Sequence, residues 1–200
     1  MPRIPTKPSR PRGRPRNADG SVTAARLVES AASVCAEHGL DGCTLARIAA
    51  RADVHPTAVY NHFDSRDDLL YAVAVRALEQ LTTAAITTPT AGRSTFAALA
   101  AMYLQPAMAE PRQVLAEIHV AGRRNDHLAA LLADWHRRWT AAMLPRIGGP
   151  DEEARATIQT LFMLLLGLCH VDQLTAVDAP RDRVVERVAG LVDTLVDGDR

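Results

Sequence analysis

The sequence predicts an all-α protein on three observations. No stretch alternates apolar and polar residues at period two, β-branched residues are not clustered, and apolar residues recur at helical spacing between prolines. With 200 residues, 48% of them hydrophobic and 23% charged, the chain has a soluble globular make-up and can bury a core without staples. Three segments are expected: an extended arm over residues 1–20, a three-helix helix-turn-helix unit over 21–66, and a larger helical domain over 67–200.

The arm comes first, and the zero net charge hides it. Arg3, Lys7, Arg10, Arg12, Arg14 and Arg16 lie within residues 1–18 without an acid, leaving 17 basic and 23 acidic groups elsewhere, a net of −6. A tail at +6 on a body at −6 is the asymmetry expected of an arm that meets nucleic acid. Five prolines from Pro2 to Pro15 forbid a stable helix there. Pro11-Arg12-Gly13-Arg14-Pro15 resembles the core of an AT-hook, where an extended Arg-Gly-Arg enters a narrow A·T minor groove. Gly13 matters because a side chain would strike the groove floor.

The next helix carries Leu27, Val28, Ala31, Val34 and Cys35 on one face, and Gly39 is expected to end it at the C′ position. Thr44 is a good N-cap for a short helix whose inner face is Leu45, Ile48 and Ala49. Asp53 then tolerates the left-handed backbone of a sharp turn. Pro56 suits the first position of a helix over Pro56–His62, which would point Ala58, Val59 and Phe63 inward and Thr57, Tyr60, Asn61 and His62 outward. Two short helices across a tight turn are the unit that places its second helix in a major groove.

Gly39, Thr44, Ile48-Ala49, Val59-Tyr60-Asn61-His62-Phe63, Arg66 and Leu69 together resemble the signature of the TetR family of transcriptional regulators, over about a quarter of the chain. Ala49 stands eleven residues before Tyr60 and a basic residue three after Phe63, which makes the combination specific. The chain departs from the family at three positions: Asp53 replaces the usual turn glycine, Arg66 the usual lysine, and His55 the usual Ser or Thr cap. A histidine cannot copy a hydroxyl that accepts from backbone amides, so His55 is expected to reach a phosphate or a base instead.

The resemblance implies a DNA-binding domain followed by a helical effector-binding and dimerisation domain. Thr57, Asn61 and Pro56 are expected to read bases, with His55 also approaching the major groove. Tyr60, His62, Arg66 and the amide at the Thr44 helix start are expected to hold phosphates, and Arg47 is within reach of either.

Beyond the head, a helix is expected from Arg66 to about Thr88, with Leu69, Leu70, Val73, Leu78 and Leu81 inward. Ser94 should cap an Ala-, Leu- and Met-rich segment running through Ala109. Pro111, Pro150 and Pro180 mark further starts, suggesting helices near 112–121, 126–145, 151–175 and 181–196. Leu161 to Leu168 is apolar all round and so should be buried all round. Val184, Val185, Val188, Leu191, Val192, Leu195 and Val196 form a stripe wider than one neighbour needs. These two helices pairing with their copies would give a two-fold dimer, as the resemblance also implies, and two heads would then read a pseudo-palindrome.

In the middle, relatives hold a small-molecule pocket, for which Met102, Tyr103, Met108, Ile118, His119, Trp135, Trp139, Phe162, Met163 and Leu166 are the candidate lining. Trp135 and Trp139 are four apart and share a helical face. Core packing explains the tryptophan pair equally well, and His119 reads first as a partly buried structural histidine. A lining rich in Trp, Tyr and Met points to a small hydrophobic effector.

No HExxH, GxSxG, P-loop or Gly-rich dinucleotide turn is present, so no enzyme is expected, and no cofactor or metal. Cys35-x2-His38-x4-Cys43 reads as core, and without a CxxC pair the three cysteines fit a reducing cytoplasm. The longest apolar run, Leu161 to Val171, is eleven residues, well short of the ~20 that span a bilayer. The expectation is a ligand-responsive repressor that binds an operator as a homodimer. The alternative is an architectural A·T-preferring DNA binder driven by its arm.

Overall fold

A computed structural model of the chain describes residues 16–89, 95–147, 151–170 and seven positions between 183 and 191. Among these residues the regular structure is helical: α1 (Arg16–Gly42), α2 (Leu45–Arg51), a 3-10 helix (Pro56–Asn61), α3 (Arg66–Thr87), α4 (Thr95–Tyr103), a 3-10 turn (Pro106–Met108), α5 (Ala109–Gly122), α6 (Asp126–Ile147) and α7 (Asp151–Leu168). Arg12 and Arg14 of the arm and most of the expected helix over 181–196 lie outside the described residues. The helical backbone begins at Arg16, so residues 16–20 belong to α1 and not to the arm. Pro15 is the last proline before it, and no residue of these first turns lacks an amide hydrogen.

α1, α2 and the 3-10 helix form the head. Gly39 takes φ 69 inside α1, the left-handed position expected of it, and three more residues of helix follow. Asp53 has φ 53, the one positive φ among described non-glycine residues. Leu27, Ala31, Val34, Cys35, Cys43, Ile48, Ala49 and Val59 close the small core of the head.

α3 joins head and body. Ser65 caps it by accepting from the Asp68 amide, and Asp67 and Asp68 in its first turn favour the positive end of the helix. It is the one described helix long and apolar enough to cross a membrane by length and composition. Its apolar face, from Leu69 through Ala85, is instead buried in the fold. α5 packs against α1, α3 and α6, and α7 lies on α6. Arg146, in the last turn of α6, donates to the carbonyls of Ala85 (3.1 Å), Ile86 (2.9 Å) and Thr88 (2.6 Å) at the end of α3. Those are C-terminal carbonyls without a partner inside their own helix.

Three boundaries differ from the sequence expectation. The segment expected to run through Ala109 breaks after Tyr103, because Pro106 removes an amide donor and disfavours helix at the residue before it. α5 therefore starts at Ala109, with Pro111 inside its first turn rather than opening it. α7 ends at Leu168, where the amides of Cys169 and His170 bond back three residues to Leu166 and Gly167. Nor is the 161–168 stretch buried on every side: Leu161, Leu165 and Leu168 are core, whereas Met163 is 65% exposed.

Candidate DNA-reading head and interhelical cavity

The Thr44 hydroxyl accepts from the Arg47 amide at 3.4 Å and starts α2. After the Asp53 turn, His55 occupies the cap of the 3-10 helix. Its Nδ1 accepts from the Thr57 amide at 3.4 Å and lies 2.8 Å from the Thr57 hydroxyl. This corrects the sequence expectation: an imidazole nitrogen without hydrogen accepts as a hydroxyl oxygen does. With Nδ1 as acceptor, the hydrogen sits on Nε2, which becomes a donor.

The segment is 3-10 rather than α, with the Ala58 amide bonded to the His55 carbonyl at 2.8 Å. Val59 is 1% exposed and anchors it. His55, Pro56, Thr57, Tyr60 and Asn61 are exposed on one projecting corner, as are Thr44 and Arg47 on α2, while His62 is half-buried. Tyr60 is 58% exposed, a large aromatic surface with no burial to explain it.

Arg66 departs from its expected role. Its Nε donates to the Cys43 carbonyl at 2.9 Å and its Nη2 to the Leu40 carbonyl. The guanidinium therefore faces the α1–α2 corner and ties it to the first turn of α3, which leaves a phosphate contact unsupported. Arg51 is likewise engaged, in a bidentate pair with Glu37 that holds the Glu37 carboxyl below its usual range.

In the body, Met102, Tyr103, Trp135, Trp139 and Phe162 do converge, around a cavity of ≈ 20 Å³ completed by Leu81, Ala85, Leu99, Leu115 and Leu165. Trp135 fixes one wall by donating its indole N–H to the Thr82 hydroxyl at 2.7 Å. The Trp135 and Trp139 rings lie 5.5 and 5.7 Å from Phe162, both edge-on. The remaining candidates do not line the cavity. Met108 borders a surface groove with Arg76, Glu79 and Thr83, and Met163 points away from α6 into the open. His119 lies beyond Phe162, its ring 5.7 Å from it and 5.4 Å from that of His136.

Two polar features beside the cavity had no sequence signal. Arg112 is 1% exposed and donates to the Tyr103 carbonyl at 2.6 Å. The Tyr103 hydroxyl meets the Cys169 thiol at 2.8 Å, and burial pushes the phenol well above its usual pKa. The cavity also reaches the head through α5. Glu110 accepts from Ser33 of α1 (2.7 Å) and from Arg76 of α3 (2.6 Å), and Glu117 accepts from the Leu40 amide at 2.9 Å.

An exposed helix-turn-helix corner carried on a helical body is the architecture of a DNA-binding regulator of transcription. Residues 27–73 match the family model described as bacterial regulatory proteins, tetR family. Over those residues the chain is similar to the helix-turn-helix DNA-binding head of tetR-family regulators. Solved structures share the fold over nearly its full length. A transcriptional regulator from Rhodococcus sp. Rha1 is 20% identical with a TM-score of 0.69, covering 88% of this chain and 96% of its own. A TetR-family member from Streptomyces coelicolor A3 is 23% identical, TM-score 0.65, covering 85% and 97%. The multidrug binding protein EbrR, solved with imidazole, is 22% identical, TM-score 0.61, covering 84% and 93%; it has also been solved with malachite green. A comparison with curated protein sequences found no match.

Proposed function

We propose that the chain is a ligand-responsive repressor that binds a pseudo-palindromic operator as a homodimer and is released by a small hydrophobic effector. The observation that carries this reading is the continuous link from cavity to head: Leu115 lines the cavity, and Glu110 and Glu117 of the same helix hold α1. The cavity has room for about one water, whereas pockets that hold drug-sized ligands measure roughly 300–1,000 Å³. An effector must therefore push Phe162, Met102 or the tryptophans aside. Such a shift in α5 would alter the position of the heads, so that an effector favouring the open cavity disfavours the DNA-bound state. EbrR, with its bound imidazole and malachite green, supports a cavity of this class for organic molecules.

Asn61, Thr57 and Pro56 would read bases, with the His55 Nε2–H donating to a guanine edge or a phosphate. Tyr60, His62, Arg47 and the α2 N-terminus would hold the backbone. Arg51 and Arg66 are bonded to the protein itself, and Arg47 stays exposed although it donates to the Gly42 carbonyl at 2.7 Å. That leaves Arg12 and Arg14 of the arm to supply much of the positive charge. The exposed Met163 face of α7 fits burial against a second copy.

Selection of the full chain against random duplexes at physiological salt tests the proposal. Recovery of a two-fold-symmetric sequence, with sedimentation giving a dimer, is the expected result. A·T-rich winners without symmetry, lost on deleting residues 1–15, would replace it with the architectural reading.

A further inference from the structure

We propose that His119 and His136 form a two-histidine binding site for a divalent transition cation of the copper, nickel or zinc class. The site goes beyond the regulatory reading and does not depend on it. The two residues come from different helices, α5 and α6, and present Nε2 to Nε2 at 3.4 Å. That is loose for a hydrogen bond from nitrogen, for which about 2.7–3.2 Å is usual. It matches the edge of a coordination tetrahedron, since two nitrogens each about 2.0–2.1 Å from one zinc ion lie about 3.4 Å apart. In the same geometry the ring centres lie about 5.3 Å apart, and here they are separated by 5.4 Å.

The hydrogen positions agree. His119 Nδ1 lies 2.8 Å from the Leu115 carbonyl oxygen, which can only accept, so the hydrogen is on Nδ1. The Nε2 lone pair faces His136, its one polar contact among the described residues being the long one to His136 Nε2. A histidine bonded through one nitrogen to a backbone carbonyl, with the other free, is the usual orientation of a metal ligand. His136 is held in place by the edge of Phe162 at 4.5 Å and by Trp135 at 5.2 Å. Both histidines are half-buried rather than sealed in the core. No third His, Cys, Asp or Glu joins them among the described residues, so water fills the remaining positions. The spacing as it stands fits a tetrahedral ion such as zinc(II). The general affinity order makes copper(II) the stronger-binding probe and nickel(II) a spectroscopically useful one, once the two rings draw slightly together toward tetragonal geometry.

The chain's two tryptophans provide the readout, because Trp135 lies against His136 and Trp139 lies 6.3 Å from Trp135. Titration of the untagged, full-length protein with copper(II) chloride, and separately with nickel(II) chloride, should quench their fluorescence saturably at one ion per chain, reversed by EDTA. His119→Gln and His136→Gln should each weaken binding on the order of tenfold or more, because loss of one ligand removes the chelate. His127→Gln, exposed at the start of α6, should leave it unchanged. Imidazole nitrogen spectra of the unaltered protein give a test independent of any variant: nickel(II) should broaden His119 and His136 before the other five histidines. Unsaturable quenching, equal binding by both Gln variants, or uniform broadening would overturn the site. Operator binding is not measured in any arm, so these outcomes stand apart from the success or failure of the repressor reading.

Discussion

Replacing Arg66 by alanine separates a structural tie from a DNA contact. In the structure its guanidinium bridges the first turn of α3 to two carbonyls at the α1–α2 corner, Cys43 at 2.9 Å and Leu40. A hydrogen bond from a charged donor contributes about 1.5–3 kcal/mol. Two such bonds would give more than is expected here, because the site is half-exposed and the Leu40 carbonyl keeps its bond from the Cys43 amide at 3.2 Å. A net loss of about 2–3 kcal/mol is reasonable. For a chain of this length, that lowers the melting temperature by about 5–10 °C. Thermal and urea unfolding measure it, and operator binding at several salt concentrations is measured alongside. Since the guanidinium is already bonded within the protein, the salt dependence should retain its slope. Arg66→Lys keeps the charge but cannot fork to both carbonyls, and should fall between alanine and the original. If Arg66→Ala melts like the parent while the slope of log affinity against log salt drops by about 1, Arg66 is a phosphate contact and the inward tie carries no energy.

Asn61→Ala should cost about 1–3 kcal/mol at one base pair of the operator and little on random DNA, if its contact is bidentate. Tyr60→Phe should weaken both alike, and an equal loss for Asn61→Ala on operator and random DNA in competition binding would remove Asn61 from the base readers. Gly39→Ala should destabilise the head by about 1–2 kcal/mol, since φ is 69 and the added methyl would lie 3.2 Å from the Glu117 carboxylate. Urea melts measure that loss. The His136 pKa is lowered from 6.5 to about 4, chiefly by burial and then by His119, the one charged or titratable neighbour that contributes. Below pH 6.5 the unfolded chain takes up a proton that the folded state refuses, so stability is complete above 6.5 and falls by roughly 2–3 kcal/mol as pH drops toward 4. In EDTA-containing buffer, melts of His136→Gln should show a shallower decline over that window.

Much of the head could be read in advance because its signals are short-range. The left-handed glycine at 39, the left-handed aspartate at 53, the Thr44 cap and the proline at 56 each constrain a few adjacent backbone angles, and the structure has each as expected. The all-α class follows from the same kind of information, since helical periodicity repeats within one or two turns. His55 was misjudged even at short range, because the acceptor capacity of an unprotonated ring nitrogen was overlooked. Pro106 was likewise passed over as a break, although its effect on the preceding residue is local.

What could not be read are meetings between residues far apart in the chain. Arg66 and Leu40 are separated by 26 positions, His119 and His136 by 17, and Tyr103 and Cys169 by 66. The tryptophan pair was visible as one helical face, yet which residues of α3, α4, α5 and α7 stand opposite depends on how five helices cross. Met163 and Phe162 are neighbours of the same apolar character, and one enters the aromatic cluster while the other faces outward. Local sequence sets backbone angles and the width of an apolar stripe. The partner of each side chain is chosen by the rotation and crossing of packed helices, which minimises voids and unpaired polar groups over the whole core at once.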